Sequence, residues 1–151
     1  LCLLFTTITF SSFGQNTFSF VSPKEIFSSS NLNDLKKILL TNNFIKLESK
    51  EMIELGLIYE KWEFNYSVFS SRVSTYVDVK SKKINYLHLV VTSETVYDSL
   101  KEEIRHDCEF SSISEDNSFE DFLLYKCTYH PSMQIGIKWN GEFGTFILQD
   151  W

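Results

Sequence analysis

Glycine and proline are scarce in this 151-residue chain, at five and two residues. So few breakers exclude collagen-like, linker-like and low-complexity architectures and leave helices and strands room to run. Positive charge is also short. Lys and Arg number 14 against 20 Asp and Glu, a net charge of −6. Neutralising phosphates requires a basic face, so a nucleic-acid partner is not expected, nor is adsorption to anionic lipid. No apolar run is long enough to span a bilayer, so no transmembrane segment is expected. Catalytic signatures are missing as well: the chain contains no G-x-S-x-G, H-E-x-x-H, P-loop or G-x-G-x-x-G. No cofactor or resident metal is expected, and a non-enzymatic role is favoured over an enzymatic one.

Aromatic residues, by contrast, are abundant, with 14 Phe, 7 Tyr and 3 Trp making 16% of the chain. Rich aromatics with few breakers favour well-formed strands. The length suits one domain with its own core.

The first ten residues, LCLLFTTITF, carry no charge, and Ser11-Ser12-Phe13-Gly14-Gln15 follows. Small residues at Ser12 and Gly14 occupy the −3 and −1 positions of a signal-peptidase site. Residues 1–14 are therefore read as a truncated signal peptide, and 15–151 as a single exported α+β domain, secreted or periplasmic. The competing reading is a buried strand over Phe5–Phe10.

Along the remainder, Phe18 and Phe20 suit a short edge strand before Pro23. Asn31 is a good N-cap for a helix with Leu32, Leu35 and Leu39 on one face, stopped by Asn42-Asn43. Ile58, Trp62, Phe64 and Tyr66 share one face of a strand, interrupted by Glu60. Further strands are expected over Thr75–Lys80 and through Leu87, Leu89 and Val91. Thr95 with Asp98 fits a capping box for a second helix with Tyr97, Leu100 and Ile104 inward. Ser111–Ser118 reads as a loop. Two more strands carry Leu123, Tyr125, Cys127 and Tyr129, then Met133, Ile135, Ile137 and Trp139. Asn140-Gly141 predicts a two-residue hairpin pairing Trp139 with Glu142, Ile137 with Gly144, Ile135 with Phe146 and Met133 with Leu148.

The order helix, three strands, helix, three strands suggests duplication. An offset of 65 maps Leu32, Leu35 and Leu39 onto Tyr97, Leu100 and Ile104, and Ile58, Trp62 and Phe64 onto Leu123, Cys127 and Tyr129. The expected fold is α+β, with tandem α-βββ units (about 31–91 and 95–149) forming one antiparallel sheet and two helices packed on one face.

With Cys2 inside the leader, Cys108 and Cys127 form an even pair, read as a disulfide in an exported protein. His106-x-Cys108 with Cys127-x-x-His130 is the competing zinc set. A Cys–His nucleophilic pair from the same residues would need an exposed thiolate. Asn65-Tyr66-Ser67 is a glycosylation sequon by pattern.

The sheet face opposite the helices gathers Tyr59, Tyr76, Tyr86, His88, His130, Lys138 and Phe143. Tyrosine offers a large stacking surface and one polar tip at low entropic cost. These seven residues are the candidate surface for a protein or envelope ligand. The element order resembles that of the β-lactamase inhibitor proteins, exported tandem helix-plus-sheet repeats that grip a target with an aromatic-rich concave sheet. The resemblance covers element order alone, and it implies a binding face rather than particular residues. Two other readings stand beside the binding module: a small secreted hydrolase or sugar-active enzyme using His88 or His130, and a structural or chaperone-like envelope component. The sequence does not indicate an oligomeric state.

Overall fold

A computed structural model of the chain describes residues 22–66, 69–115 and 121–150. The expected leader and the edge strand around Phe18 and Phe20 lie outside the described residues.

Two short helices begin the described chain. Helix α1 (Pro23–Phe27) starts with Pro at a position that needs no N–H, and the Ser22 hydroxyl accepts from Lys24 N. Helix α2 (Leu32–Thr41) is capped as expected: Asn31 Oδ1 accepts from Asn33 N at 3.0 Å and Asp34 N at 3.1 Å. It buries Leu32, Leu35 and Leu39 and stops at Asn42-Asn43, where Asn43 takes φ +61°. The third helix, α3 (Glu94–Asp107), buries Tyr97, Leu100 and Ile104. Its cap is Ser93 rather than Thr95. Ser93 is in extended backbone and its Oγ accepts from Val96 N, whereas Thr95 is already inside the first turn.

Eight strands form one sheet: β1 (Ile45–Met52), β2 (Leu57–Tyr66), β3 (Phe69–Asp78), β4 (Ile84–Val91), β5 (Cys108–Ile113), β6 (Leu123–Cys127), β7 (Gln134–Trp139) and β8 (Gly144–Gln149). Their order is β1-β2-β3-β4-β8-β7-β6-β5, and every neighbouring pair is antiparallel. The mixed α+β class is therefore as expected, but each helix, α2 and α3, precedes four strands rather than three.

The two unforeseen strands are the sheet's edges. Strand β1 reads IKLESKEM and is exposed along nearly its whole length, so it lacks the alternating burial that marks a strand. Strand β5 takes in Ser111–Ile113 of the expected loop. Each edge is bulged, between Lys46 and Glu48 and between Phe110 and Ser112. Strand β3 starts earlier than expected and ends at Asp78. There Oδ1 of Asp78 accepts from Lys80 N and Ser81 N and turns the chain, so Val79 and Lys80 leave the strand.

The β7–β8 hairpin also differs in register. Trp139 pairs with Gly144, Ile137 with Phe146 and Ile135 with Leu148, two residues from the expected alignment. The connection is four residues long because Asn140 Oδ1 accepts from both Glu142 N (3.0 Å) and Phe143 N (2.9 Å), with Gly141 at φ +97°. A shift of two preserves which face each side chain occupies. Ile135, Ile137, Phe146 and Leu148 accordingly stay fully buried.

The core lies between the helices and the sheet face formed by Trp62, Val73, Val77, Leu87, Leu89, Ile135, Ile137 and Phe146. Helix α3 seats on β8 through Tyr97, whose ring meets Trp139 at 5.2 Å and Phe146 at 5.3 Å. Gly144 lies directly beneath it. A Cβ there would stand 2.8 Å from Tyr97 Cγ and closer still to Cδ2. Helix α1 is tied to α3 by the Ser22 hydroxyl on the Glu103 carboxylate and by a Lys24–Asp107 ion pair at 2.8 Å. No helix among the described residues is long and apolar enough to cross a membrane.

Cys108 and Cys127 are direct cross-strand partners on β5 and β6, with Sγ atoms 2.06 Å apart, the distance of a disulfide. A cross-link over a sequence separation of 19 contributes roughly 3 kcal/mol in the chain-entropy model.

Candidate functional site

Burial alternates along β2, β3 and β4, so one set of residues faces the helices and the other faces away. Tyr59 is the direct partner of Tyr76, and Tyr76 of Tyr86. All three stand on the face away from the helices. Their ring centroids are 5.2 Å and 5.7 Å apart, and Tyr86 meets His88 at 6.2 Å. Four of the seven candidate residues thus form one unbroken aromatic row across three strands. Successive rings are tilted by 42°, 58° and 64°. The tilted rings make the row uneven and not a flat platform.

The row continues into an apolar patch not foreseen from sequence. Phe122, Leu124 and Ile147 are buried on this face and Tyr86 packs against them. Their signal was present: Phe122–Tyr125 and Phe146–Leu148 are continuous apolar runs, the pattern of strands buried on both sides. Lys138, on β7 of the same face, stands over the Phe122 ring at 5.8 Å, with the Asp121 carboxylate 3.9 Å away.

Two candidates fall elsewhere. His130 lies in the turn after β6, on the helix side, where its ring donates to the Phe27 carbonyl and lies near Lys83. Phe143 sits in the β7–β8 connection, at the end of the hairpin. Neither adjoins the tyrosine row. The reason is that strand alternation does not extend into turns, so the inward–outward pattern assigns no face to either residue.

The electrostatics of the row follow from partial burial. Burial raises the Tyr86 hydroxyl above its ordinary value, with a smaller contribution from Tyr76. Burial also holds His88 below the usual histidine value, so the neutral ring is favoured. No carboxylate acts on His88, and its Nε2 has no hydrogen-bond partner among the described residues. At the flank, hydrogen bonds from Asn65 and Arg72 hold Glu63 below the ordinary carboxylate value. Arg72 also pairs with it at 3.0 Å. Asn65 of the sequon is exposed, and Ser67 lies outside the described residues.

The metal and thiol readings are overturned. Cys108 and Cys127 engage each other, which removes the thiolates that both zinc ligation and nucleophilic attack require. His106 points to solvent beside Asp107. Among the described residues no cluster of three or more His, Cys, Asp or Glu could hold a metal ion. Two surface grooves, of about 530 and 560 Å³, lie between α1 and α2 and beside α3 at the β5 edge. Neither is lined by a histidine.

The β2 strand holds one further polar group of note. Glu60, which interrupts the apolar face, is 1% exposed. Its carboxylate meets Lys36 Nζ at 2.9 Å, Ser49 Oγ at 3.2 Å and Trp62 Nε1 at 3.3 Å. Three donors of the protein itself meet the carboxylate, two on Oε1 and one on Oε2, so Glu60 is structural.

Comparison with protein families, with curated proteins and with solved structures returns no match.

Proposed function

We propose that this chain is an exported binding module that engages a protein or envelope ligand through the sheet face opposite its helices. The observation that carries the reading is the unbroken row Tyr59–Tyr76–Tyr86–His88, in which Tyr86 packs on the buried side chains of Phe122, Leu124 and Ile147. Tyrosines clustered at the centre of a surface, backed by apolar side chains, are the composition of binding hot spots. Export is supported by the apolar, uncharged start of the chain and by the Cys108–Cys127 pair at disulfide distance. A hydrolase is less well supported, because His88 has no acid beside it and His130 lies apart on the helix side.

A duplicated origin fits this arrangement. Helix α2 leads into β1–β4 and α3 into β5–β8, and the two meanders meet at β4–β8 with β1 and β5 outermost. The offset of 65 superposes buried Leu32, Leu35 and Leu39 on buried Tyr97, Leu100 and Ile104. On this reading the tyrosine row belongs to the first unit and the apolar patch mainly to the second.

The test compares wild type, a Tyr59/Tyr76/Tyr86→Ala triple variant and a His130→Ala control as baits for envelope and extracellular extracts of the source. Wild type and the control should retain the same partner, and the triple variant should lose it while unfolding in urea as a single cooperative transition. Equal recovery by all three baits refutes the proposal.

A further inference from the structure

Strand β1 is the outermost strand of the sheet, with β2 its only partner among the described residues. An unpaired edge is a template for another strand, and proteins commonly block it with like charges, proline or bulges. Here the edge carries a bulge between Lys46 and Glu48, and apolar side chains also frame it. Of the eight large hydrophobics exposed among the described residues, five belong to β1 or its flanks: Leu40, Ile45, Leu47, Ile53 and Leu55. Ile45 is 68% exposed and Ile53 84%.

The charges of β1 alternate in sign. Glu48 lies opposite Lys61, and Lys50 opposite Tyr59, so both stand on the tyrosine face. Ser49 lies between them, opposite Glu60 on the helix face. Such a strand is self-complementary. Laid antiparallel against a second β1 about a two-fold axis at Ser49, Glu48 stands opposite Lys50 of the second copy and Lys50 opposite its Glu48. The Ile45 end of each strand then meets the Ile53 end of the other. Neighbouring registers are rejected: centring on Glu48 or Lys50 sets like charges face to face, and a parallel alignment sets Glu48 on Glu48. Opposite charges directly across a strand pair are stabilising and like charges destabilising.

We infer that the β1 edge is a homodimer interface, in which two copies pair β1 to β1 in an isologous, two-fold arrangement. The partner is a second copy of this chain, because Glu48 and Lys50 complement each other across a two-fold axis at Ser49. The dimer joins two sheets into one and sets the two tyrosine rows on one continuous face.

Analytical ultracentrifugation of the disulfide-intact protein across a wide concentration range tests this. Wild type is expected to show a monomer–dimer equilibrium. Glu48→Lys alone or Lys50→Glu alone places two like-charged pairs across the axis and is expected to weaken the dimer by at least about tenfold. The double exchange Glu48→Lys/Lys50→Glu restores complementarity and should recover the dimer. Urea unfolding of each variant confirms that the fold is retained. A strictly monomeric wild type, a dimer indifferent to the single reversals, or a folded double exchange that stays monomeric overturns the inference. So does a dimer lost instead in Phe110→Glu, which would put the contact on β5.

Discussion

Lys36→Met should be among the costliest single substitutions outside the apolar core, and a neutral Glu60 should cancel most of that cost. Glu60 lies on the helix-facing side of β2 and its side chain is 2% exposed, while that of Lys36 is 32% exposed. Taking the lysine away leaves a carboxylate in the core with only Ser49 and Trp62 as donors. Stranding one member of a fully buried pair costs roughly 3–5 kcal/mol. Because Lys36 is partly solvated, water reaches this carboxylate from the lysine side, and about 3 kcal/mol is the expected loss. Glu60→Gln keeps an acceptor for Trp62 Nε1 and leaves the lysine free to turn outward, so about 1 kcal/mol is expected. The double variant should then fall close to Glu60→Gln alone, a coupling of about 3 kcal/mol between the two sites. The assay is equilibrium urea unfolding with the disulfide intact and equal m-values across the series. If Lys36→Met falls within about 0.5 kcal/mol of wild type, as an ordinary surface substitution does, or if the two losses simply add, the account of Glu60 is wrong.

Two further outcomes follow from the packing and from the histidines. Gly144→Ala drives a Cβ into the Tyr97 ring and should destabilise by about 1–3 kcal/mol, the cost of overpacking a tight site; combining it with Tyr97→Leu should relieve part of the loss, which thermal unfolding can read. His88 and His130 are both held below the ordinary histidine value of 6.5, chiefly by burial. Their folded pKa values are depressed, so the unfolded chain binds protons first as pH falls. Their contribution is complete above about pH 6.5 and declines below it, before Glu63, Asp78 and Asp107, whose carboxyls hydrogen bonds hold below their ordinary values, begin to protonate. Unfolding free energy measured from pH 7.5 to 5 should fall for wild type and fall less for a His88→Phe variant. A flat wild-type profile would contradict the burial assigned to both rings.

Much of the fold was legible in local pattern. The spacing of Leu32, Leu35 and Leu39 and of Tyr97, Leu100 and Ile104 selected the buried helix faces, because a helix repeats over a few residues and its burial is written at that period. Alternation along β2, β3 and β4 likewise put Tyr59, Tyr76 and Tyr86 on one side of the sheet, and their pairing then set the rings in contact. Two cysteines in a chain read as exported pointed to each other. Edge strands escaped, since β1 and β5 have a partner on one side only and carry charges and serines where an inner strand would be apolar.

What the tertiary structure alone decided concerns residues far apart in the chain. Nothing local pairs Glu60 with Lys36, yet a helix laid across β2 turns an apparent break in an apolar face into a satisfied ion pair. The β7–β8 register was set by the Asn140 side chain closing a four-residue turn, a choice that the alternation of the strands leaves open because a shift of two residues preserves both faces. His130 and Phe143 were separated from the tyrosine row, and Phe122, Leu124 and Ile147 added to it, by the placement of turns and the joining of β4 to β8. Periodicity fixes which side of an element a residue occupies; only the packing of the elements decides which residues share a surface.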